Sequence, residues 1–110
     1  MIELTVLNYL SEKLTVPVYM ETPEEIPESY VLIAKNGGGM ENQIWSAMFA
    51  VQSIAPTLYD AAVLNETVIA AMLAMPDETE VSKCGLNSDY NFTDPDSKQY
   101  RYQAVFDIVW

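Results

Sequence analysis

Oxygen-bearing side chains crowd one short segment near the end of the chain, and their spacing comes closest to that of a metal site. They are Asn87, Asp89, Asn91, Asp94 and Asp96. The first three have the one-three-five spacing of a calcium-binding loop. The pattern then fails, because the sixth position, which needs glycine, is Phe92, and the twelfth, which needs glutamate, is Lys98. Turn residues that bond their own backbone explain the segment better, and we predict no metal site.

Catalytic side chains are scarce. The chain has no histidine and a single cysteine, Cys84. Histidine is the commonest general base and metal ligand, and a cysteine without a histidine partner is a poor nucleophile. Cys84 is better explained as a packing residue. The glycines at residues 37–39 do not form a phosphate-binding loop, because Met40 follows where a Walker loop needs lysine. We predict that the protein is not an enzyme and binds no cofactor.

Composition limits the architecture and the partners. A length of 110 residues, half of them hydrophobic, predicts a single domain over residues 1–110. Sixteen acidic residues against five basic ones give a net charge of −11, which disfavours specific binding to nucleic acid or to an anionic membrane. No apolar run approaches the roughly twenty residues of a membrane span, so we expect a soluble protein, made in a cytoplasm, with no membrane partner.

Hydrophobic spacing in the first half predicts a helix followed by three strands. The helix covers residues 2–14, and a short edge strand begins at Pro17, where a missing N–H does little harm. Residues 21–28 contain two prolines and four glutamates and predict an exposed connection. A buried strand at residues 30–34, a hairpin turn at 36–39 and a returning strand at about 43–52 follow.

The second half predicts a helix and two strands. Ser53 is the expected cap of a helix of about twenty residues that has Pro56 in its first turn and ends before Pro76. A strand within residues 80–92, interrupted near Gly85, is predicted to pair through an Asp94-Pro95-Asp96 turn with the strictly alternating last strand. The predicted fold is α+β, a mixed, mostly antiparallel sheet of four to five strands with two helices on one face.

Charged and flexible residues in the predicted connections are the candidate interface. They are Glu24, Glu25, Glu28, Gly37, Gly38, Gly39, Asp94, Asp96 and Arg101. A solvated loop is the plain interpretation of the glutamates, and an acidic surface that repels passing DNA is the functional one. Arg101, the only arginine, either forks to a carboxylate of a neighbouring subunit or pairs within its own sheet, and the second is favoured.

The order of short motifs resembles that of a known family. After the N-terminal helix come Pro17-Val18-Tyr19, Ile26-Pro27-Glu28-Ser29-Tyr30-Val31, Gly37-Gly38, Val51-Gln52-Ser53, Tyr59-Asp60-Ala61-Ala62, Asp94-Pro95-Asp96 and Tyr100-Arg101-Tyr102-Gln103-Ala104. This order, over nearly the whole chain, resembles the tail terminator or tail completion proteins of long-tailed bacteriophages and prophages. These are small proteins that join head to tail.

The resemblance implies a structural protein of the virion tail, assembled in the bacterial cytoplasm. It implies a ring, usually of six subunits, that caps the tail tube, stops its growth and docks the head connector while DNA passes through without specific binding. The implied partners are copies of the chain itself, the tail tube protein and the head-tail connector protein. A head-closure or connector adaptor of the same apparatus is the nearest alternative. A small acidic regulator that binds a basic protein is the alternative from another class.

Overall fold

The strands of this protein form one mixed sheet whose order differs from their order along the chain. The computed structural model describes residues 1–97 and 99–110. Helix α1 (Ile2–Lys13) precedes strands β1 (Val18–Tyr19), β2 (Tyr30–Glu41) and β3 (Ile44–Ala55); helix α2 (Leu58–Ala74), a 3-10 turn (Met75–Asp77) and strands β4 (Lys83–Asn91) and β5 (Tyr100–Val109) follow. The strand order is β1-β2-β3-β5-β4. Only β1 and β2 run parallel. The predicted α+β fold with a mostly antiparallel sheet is confirmed.

Both helices pack on one side of the sheet, which we call the helix face, and they bury the core there. Val6 and Leu10 of α1 and Met72 of α2 are fully buried in one cluster with Phe49 and Phe106 of the sheet. The alternation of β5 places Ala104, Phe106 and Ile108 on this face. The opposite side, which carries Leu32, Gln52 and Gln103, has no helix among the described residues and is called the open face.

The β2–β3 hairpin is longer than predicted, and its turn lies elsewhere. The predicted turn at Gly37, Gly38 and Gly39 is wrong, because all three lie inside β2 and pair with Met48, Ala47 and Ser46. None of them has a positive φ, whereas Asn42 and Gln43 have φ values of 53° and 64°. A two-residue turn with both φ values positive matches the right-handed twist of the flanking strands. This choice lets Met40 pair with Trp45 and Glu41 with Ile44.

The start of α2 also differs from the prediction. Ser53 is not its cap, because β3 is an interior strand that continues to Ala55 with Ser53 fully buried between Val31 and Tyr102. The cap is Thr57, whose Oγ1 accepts a hydrogen bond from the Asp60 N–H at 3.0 Å. Pro56 therefore precedes the cap and is not in the first turn.

The segment Leu58–Asp77 is long and apolar enough to cross a membrane by length and composition alone. The expectation that no apolar run reaches this length is therefore wrong. One side of α2 contributes Ala61, Val68 and Met72 to the core, while Tyr59 and Leu73 are exposed on its outer side. Exposed Val63 and Leu73 add to the hydropathy of the buried side.

The last hairpin matches its prediction. Strands β4 and β5 are antiparallel, and the register shifts between Leu86 and Ser88, at the predicted interruption. Asp94 forms a bridge with Gln99 next to the turn at residues 94–96. Strand β5 lies inside the sheet, between β3 and β4, so both of its edges are paired.

Candidate interaction surfaces at the two ends of the sheet

The predicted interface residues fall at opposite ends of the strands. The connection at residues 21–28 leads into Tyr30, and the turn at residues 94–96 leads towards Tyr100, so both lie at one end, which we call the acidic end. The three glycines of β2 lie towards the other end, in a hairpin arm of residues 35–46. Their partners on β3, Ile54 and Ala47, are seven residues apart, so at about 3.3 Å per residue Gly38 is roughly 23 Å along the strand from Tyr30. The structure therefore does not bring all predicted residues into one site.

The acidic end presents carboxylates to solvent. Glu24, Glu25, Glu28, Asp94 and Asp96 are all exposed. The Asp94 carboxylate accepts a hydrogen bond from the Asp96 N–H at 3.0 Å, and the Asn91 side-chain oxygen accepts one from the Thr93 N–H at 3.0 Å. Asn91 and Asp94 are thus turn residues that bond nearby backbone, as predicted. Among the described residues, no group of three histidine, cysteine, aspartate or glutamate side chains is placed to hold a metal ion.

A chain of polar side chains crosses the open face near the acidic end. Gln103 Nε2 donates to Tyr90 Oη at 2.5 Å, and Gln52 Nε2 donates to Gln103 Oε1 at 2.9 Å. Arg101 Nη1 donates to Gln52 Oε1 at 2.6 Å, which joins β5 back to β3. Partly buried amides bonded in this way satisfy one another without water.

Arg101 is the branch point of this chain. Its Nη2 donates to Gln99 Oε1, and Gln99 Nε2 donates in turn to Tyr30 Oη at 3.1 Å. Within this chain Arg101 bonds residues of its own sheet, as favoured above, but its partners are neutral amides and not a carboxylate. The two ion pairs found among the described residues, Lys13 with Glu78 and Lys35 with Glu3, do not involve Arg101. Its Nε is buried and has no hydrogen-bond partner.

The arm end is apolar. Met40, Ile44 and Trp45 of the arm are 53%, 54% and 47% exposed. The Trp45 ring stacks on Trp110 with centroids 6.2 Å apart and planes 14° apart, and the Trp110 N–H donates to the Trp45 carbonyl at 3.0 Å. The stack joins the arm, close to its turn, to the residue that follows β5. The side chains beyond it remain in solvent.

A groove separates the arm from the start of α1 on the helix face. It has a volume of about 510 Å³ and is lined by Met1, Ile2, Glu3, Lys35, Gly38, Gly39, Trp45, Ser46 and Trp110. Lys35 Nζ lies 3.5 Å from Glu3 Oε2. Apart from this pair and Ser46, the lining is apolar side chain and glycine backbone. The groove can therefore take an apolar side chain next to a strand.

At two of the three arm glycines, nothing within the domain would clash with a larger side chain. A Cβ at Gly37 or Gly39 would meet nothing within 4 Å, whereas one at Gly38 would approach the Ser46 carbonyl oxygen to 3.3 Å. Glycine in a strand interior destabilises the fold by roughly 0.5–1 kcal/mol relative to alanine. Gly85 on β4 is open in the same way.

Titratable groups outside the two ends are consistent with structural roles. Burial raises the pKa of the Cys84 thiol to about 11, and Cys84 packs against the core. Burial also raises the pKa of Tyr9, whose Oη donates to the Ala71 carbonyl at 2.6 Å. The hydrogen bond to Glu78 raises the pKa of Lys13. A thiol with a raised pKa is a weak nucleophile at neutral pH.

Comparison with known proteins gives no relative. No family model matches the sequence, and no curated protein matches it significantly. The resemblance to tail terminators therefore depends on the order of the sequence motifs.

Sequence reasoning missed both the length of the arm and the polar chain on the open face. Gln52 and Gln103 interrupt otherwise apolar strands, and that interruption was the available signal. It could not be used, because the two residues are 51 apart in sequence and become neighbours only when β3 pairs with β5. The turn at Asn42 was hidden by the stronger glycine signal next to it.

Proposed function

We propose that this chain is a structural virion assembly protein that forms a ring, six-membered in keeping with the family it resembles, on the end of a phage tail tube. The ring stops tube growth and provides the docking surface for the head connector. It belongs at the head-proximal end of the tail, after assembly in the cytoplasm of a bacterial host. DNA passes through it without specific contacts.

The observation that carries this proposal is the end of the β2–β3 hairpin, with its exposed Met40, Ile44 and Trp45. Exposed apolar side chains grouped on one element mark a surface that binds another protein. Five exposed carboxylates lie at the other end of the sheet, and the net charge of −11 of the whole chain suits a wall past which DNA must slide. A protein that contacts a neighbour with one end and repels DNA with the other fits a ring subunit better than an enzyme.

The mechanism of such a cap is geometric. Copies that join head to tail close into a ring when the rotation between neighbours divides a full turn. A closed ring on the last layer of a tube leaves no free surface for the next tube subunit. Growth then stops without any covalent step.

The test is capping of tail tubes prepared without this protein. Light scattering gives the mass of the protein alone and with tubes, and electron microscopy gives tube lengths. We expect ring-sized particles or capped ends, and tubes that stop growing once the protein is added. A monomer that leaves tubes uncapped and growing would overturn the proposal. If it binds filled heads instead of tubes, the adaptor function replaces it.

An arm variant and a matched control locate the contact. Met40→Ser removes an arm side chain that is 53% exposed, and Leu73→Ser removes one on α2 that is 46% exposed. The proposal predicts that Met40→Ser lowers capping and Leu73→Ser does not. Binding to a basic protein with unchanged affinity in both variants would favour the acidic regulator, for which the carboxylates of the acidic end are the natural contact.

A further inference from the structure

Both outer edges of the sheet have a long stretch without a partner strand. At one edge β1 pairs only with Val31 and Leu32, so residues 33–41 of β2 have no outer neighbour among the described residues. At the other edge, no described strand lies outside the nine residues of β4. Unpaired edges of this length promote pairing with another chain, and proteins normally shorten or block them. Neither of these edge segments contains a proline.

We propose that the β4 edge of one copy pairs with the free β2 edge of the next copy, so that the sheet continues from subunit to subunit around the ring. The occupant of each edge is thus a second copy of this chain. This inference rests on the proposed ring for its partner and adds the surface, orientation and register of the contact. A sheet that closes on itself leaves no edge exposed.

The orientation of the contact follows from the strand order. Because β2, β3, β5 and β4 are successively antiparallel, β4 runs opposite to β2 within one copy. A neighbour related by rotation about the ring axis therefore presents its β2 antiparallel to β4. Both helix faces then stay on the same side of the continued sheet.

The register is set by length and charge. The nine free residues of β2 match the nine of β4, and each strand contains one register shift, next to Asn36 and Asn87 respectively. Full overlap places Lys83 opposite Glu41 of the next copy, on the open face. It also places Asp89 opposite the next copy's Lys35, on the helix face. Opposite charges directly across a strand pair stabilise it, and like charges destabilise it.

The same register accounts for the groove on the helix face and for the glycines that have free space around them. Leu86, which is 42% exposed, lies opposite Gly38 of the next copy and enters the groove beside its Met1 and Ile2. Gly85 lies opposite the next copy's Gly39, where neither residue has a steric reason within its own copy. Glycine within a strand often marks a place where another backbone approaches closely. Within a single copy, the cross-strand pairing aligns Gly39 of β2 with Lys83 of β4. Between copies Gly39 lies opposite Gly85, so the pairing is staggered by two residues. Closing a sheet requires such a stagger.

Engineered disulfides test the register. In a Cys84→Ser background, Gly39→Cys combined with Gly85→Cys should give disulfide-linked oligomers on mild oxidation, seen as a ladder on a non-reducing gel. Gly37→Cys with Ser88→Cys is a second pair in the same register. Directly opposite residues meet the roughly 4.4–6.8 Å Cα separation that a disulfide needs. Within one copy, three strand spacings of about 4.8 Å separate the two edges, so no internal bond competes.

Two crossed pairs are the matched controls. Gly37→Cys with Gly85→Cys and Gly39→Cys with Ser88→Cys use the same four sites. In each of these combinations the two cysteines are displaced by two cross-strand pairs from the proposed register. We expect at least tenfold less crosslinking from them than from the in-register pairs. Preferential crosslinking of a crossed pair would overturn the register, and absence of crosslinks from all four pairs in a protein that is oligomeric by light scattering would overturn the edge contact.

Charge reversal gives a second readout that needs no new cysteine. Lys83→Glu should weaken self-association roughly threefold per junction, and adding Glu41→Lys should restore it, since exposed ion pairs contribute little individually. Failure of the second change to restore association would contradict the pairing.

The outcomes separate this inference from the proposed function. In-register crosslinks in a protein that does not cap tubes would support the edge contact and remove the terminator function. Capping by rings that show no in-register crosslinks would support the terminator function and overturn the edge contact. Crosslinks between β2 of this chain and an added tube protein, in place of self-crosslinks, would assign the free edge to that partner and overturn the inference.

Discussion

The two ends of the sheet differ in the environment of their side chains. At the acidic end, Arg101, Gln52, Gln99 and Gln103 bond one another across several strands. At the arm end, Met40 and Trp45 are about half exposed. Most of the polar side chains at the acidic end are therefore hydrogen-bonded within one copy, with the Arg101 Nε as an exception, whereas the arm end leaves apolar side chains exposed. This difference indicates which end the domain uses for its own stability and which end it offers to other proteins.

The largest expected effect on the isolated domain lies at the acidic end. Arg101→Met removes the donor to Gln52 and Gln99 and leaves two partly buried acceptors unpaired. We expect a loss of about 1–3 kcal/mol in the free energy of unfolding, measured by urea denaturation of the monomer. Arg101→Lys keeps the charge but not the two donor nitrogens of the guanidinium, and its free energy of unfolding should lie between those of the unmodified protein and Arg101→Met. Unchanged stability in both variants would mean that the polar chain contributes nothing to the fold.

A smaller loss is expected at the arm end. Trp45→Ala removes the stack on Trp110, and aromatic pairs contribute about 0.5–1.5 kcal/mol beyond their buried area. We expect a loss of about 1 kcal/mol, because Trp45 is 47% exposed. Tyr59→Ala, at a site 77% exposed, is the control and should change little. A loss from Trp45→Ala larger than that from Arg101→Met would reverse the comparison between the ends.

Glycine replacement in the arm should stabilise the monomer. Gly37→Ala puts a Cβ into open space at an ordinary strand conformation, and such changes stabilise by about 0.4–1 kcal/mol. Gly38→Ala is the matched control, since its Cβ would press on the Ser46 carbonyl at 3.3 Å. Thermal unfolding of dilute protein compares the two. Equal melting temperatures would show that space at Gly37 is limited after all.

The smallest effect is expected from the glutamates of the acidic end. Replacing Glu24, Glu25 and Glu28 together by glutamine should change the free energy of unfolding by no more than about 0.5 kcal/mol, because all three are exposed. Asp94→Ala, which removes the acceptor for the Asp96 N–H, should lose more. If the triple variant loses as much as Asp94→Ala, the glutamates have a structural role that their exposure conceals.

Local patterns in the sequence predict most of the elements but not the contacts between them. Helix α1 and strand β5 follow directly from periods of 3.6 and 2. The turn was misplaced because glycine is more permissive than asparagine, yet Asn42 adopts the positive φ and the glycines remain extended. The propensity for a turn was overridden by the pairing of Met40 with Trp45.

The candidate surfaces were predictable only in part. Exposure of the glutamates follows from composition, because a loop with two prolines cannot join a sheet interior. The environment of Arg101 does not, since its partners come from β3 and from the segment before β5. Free edges cannot be recognised before the strand order is known, and this order places β5 between β3 and β4.

The stack of Trp45 on Trp110 makes the protein its own optical probe. These are the only two tryptophans in the chain, and they lie together near the turn of the arm. Indole emission therefore reports on the surroundings of the Trp45–Trp110 stack and not on the acidic end. Binding that covers the arm should shift the emission to shorter wavelength, and loss of the stack should alter the near-ultraviolet circular dichroism. Each step of assembly can thus be followed in unlabelled protein.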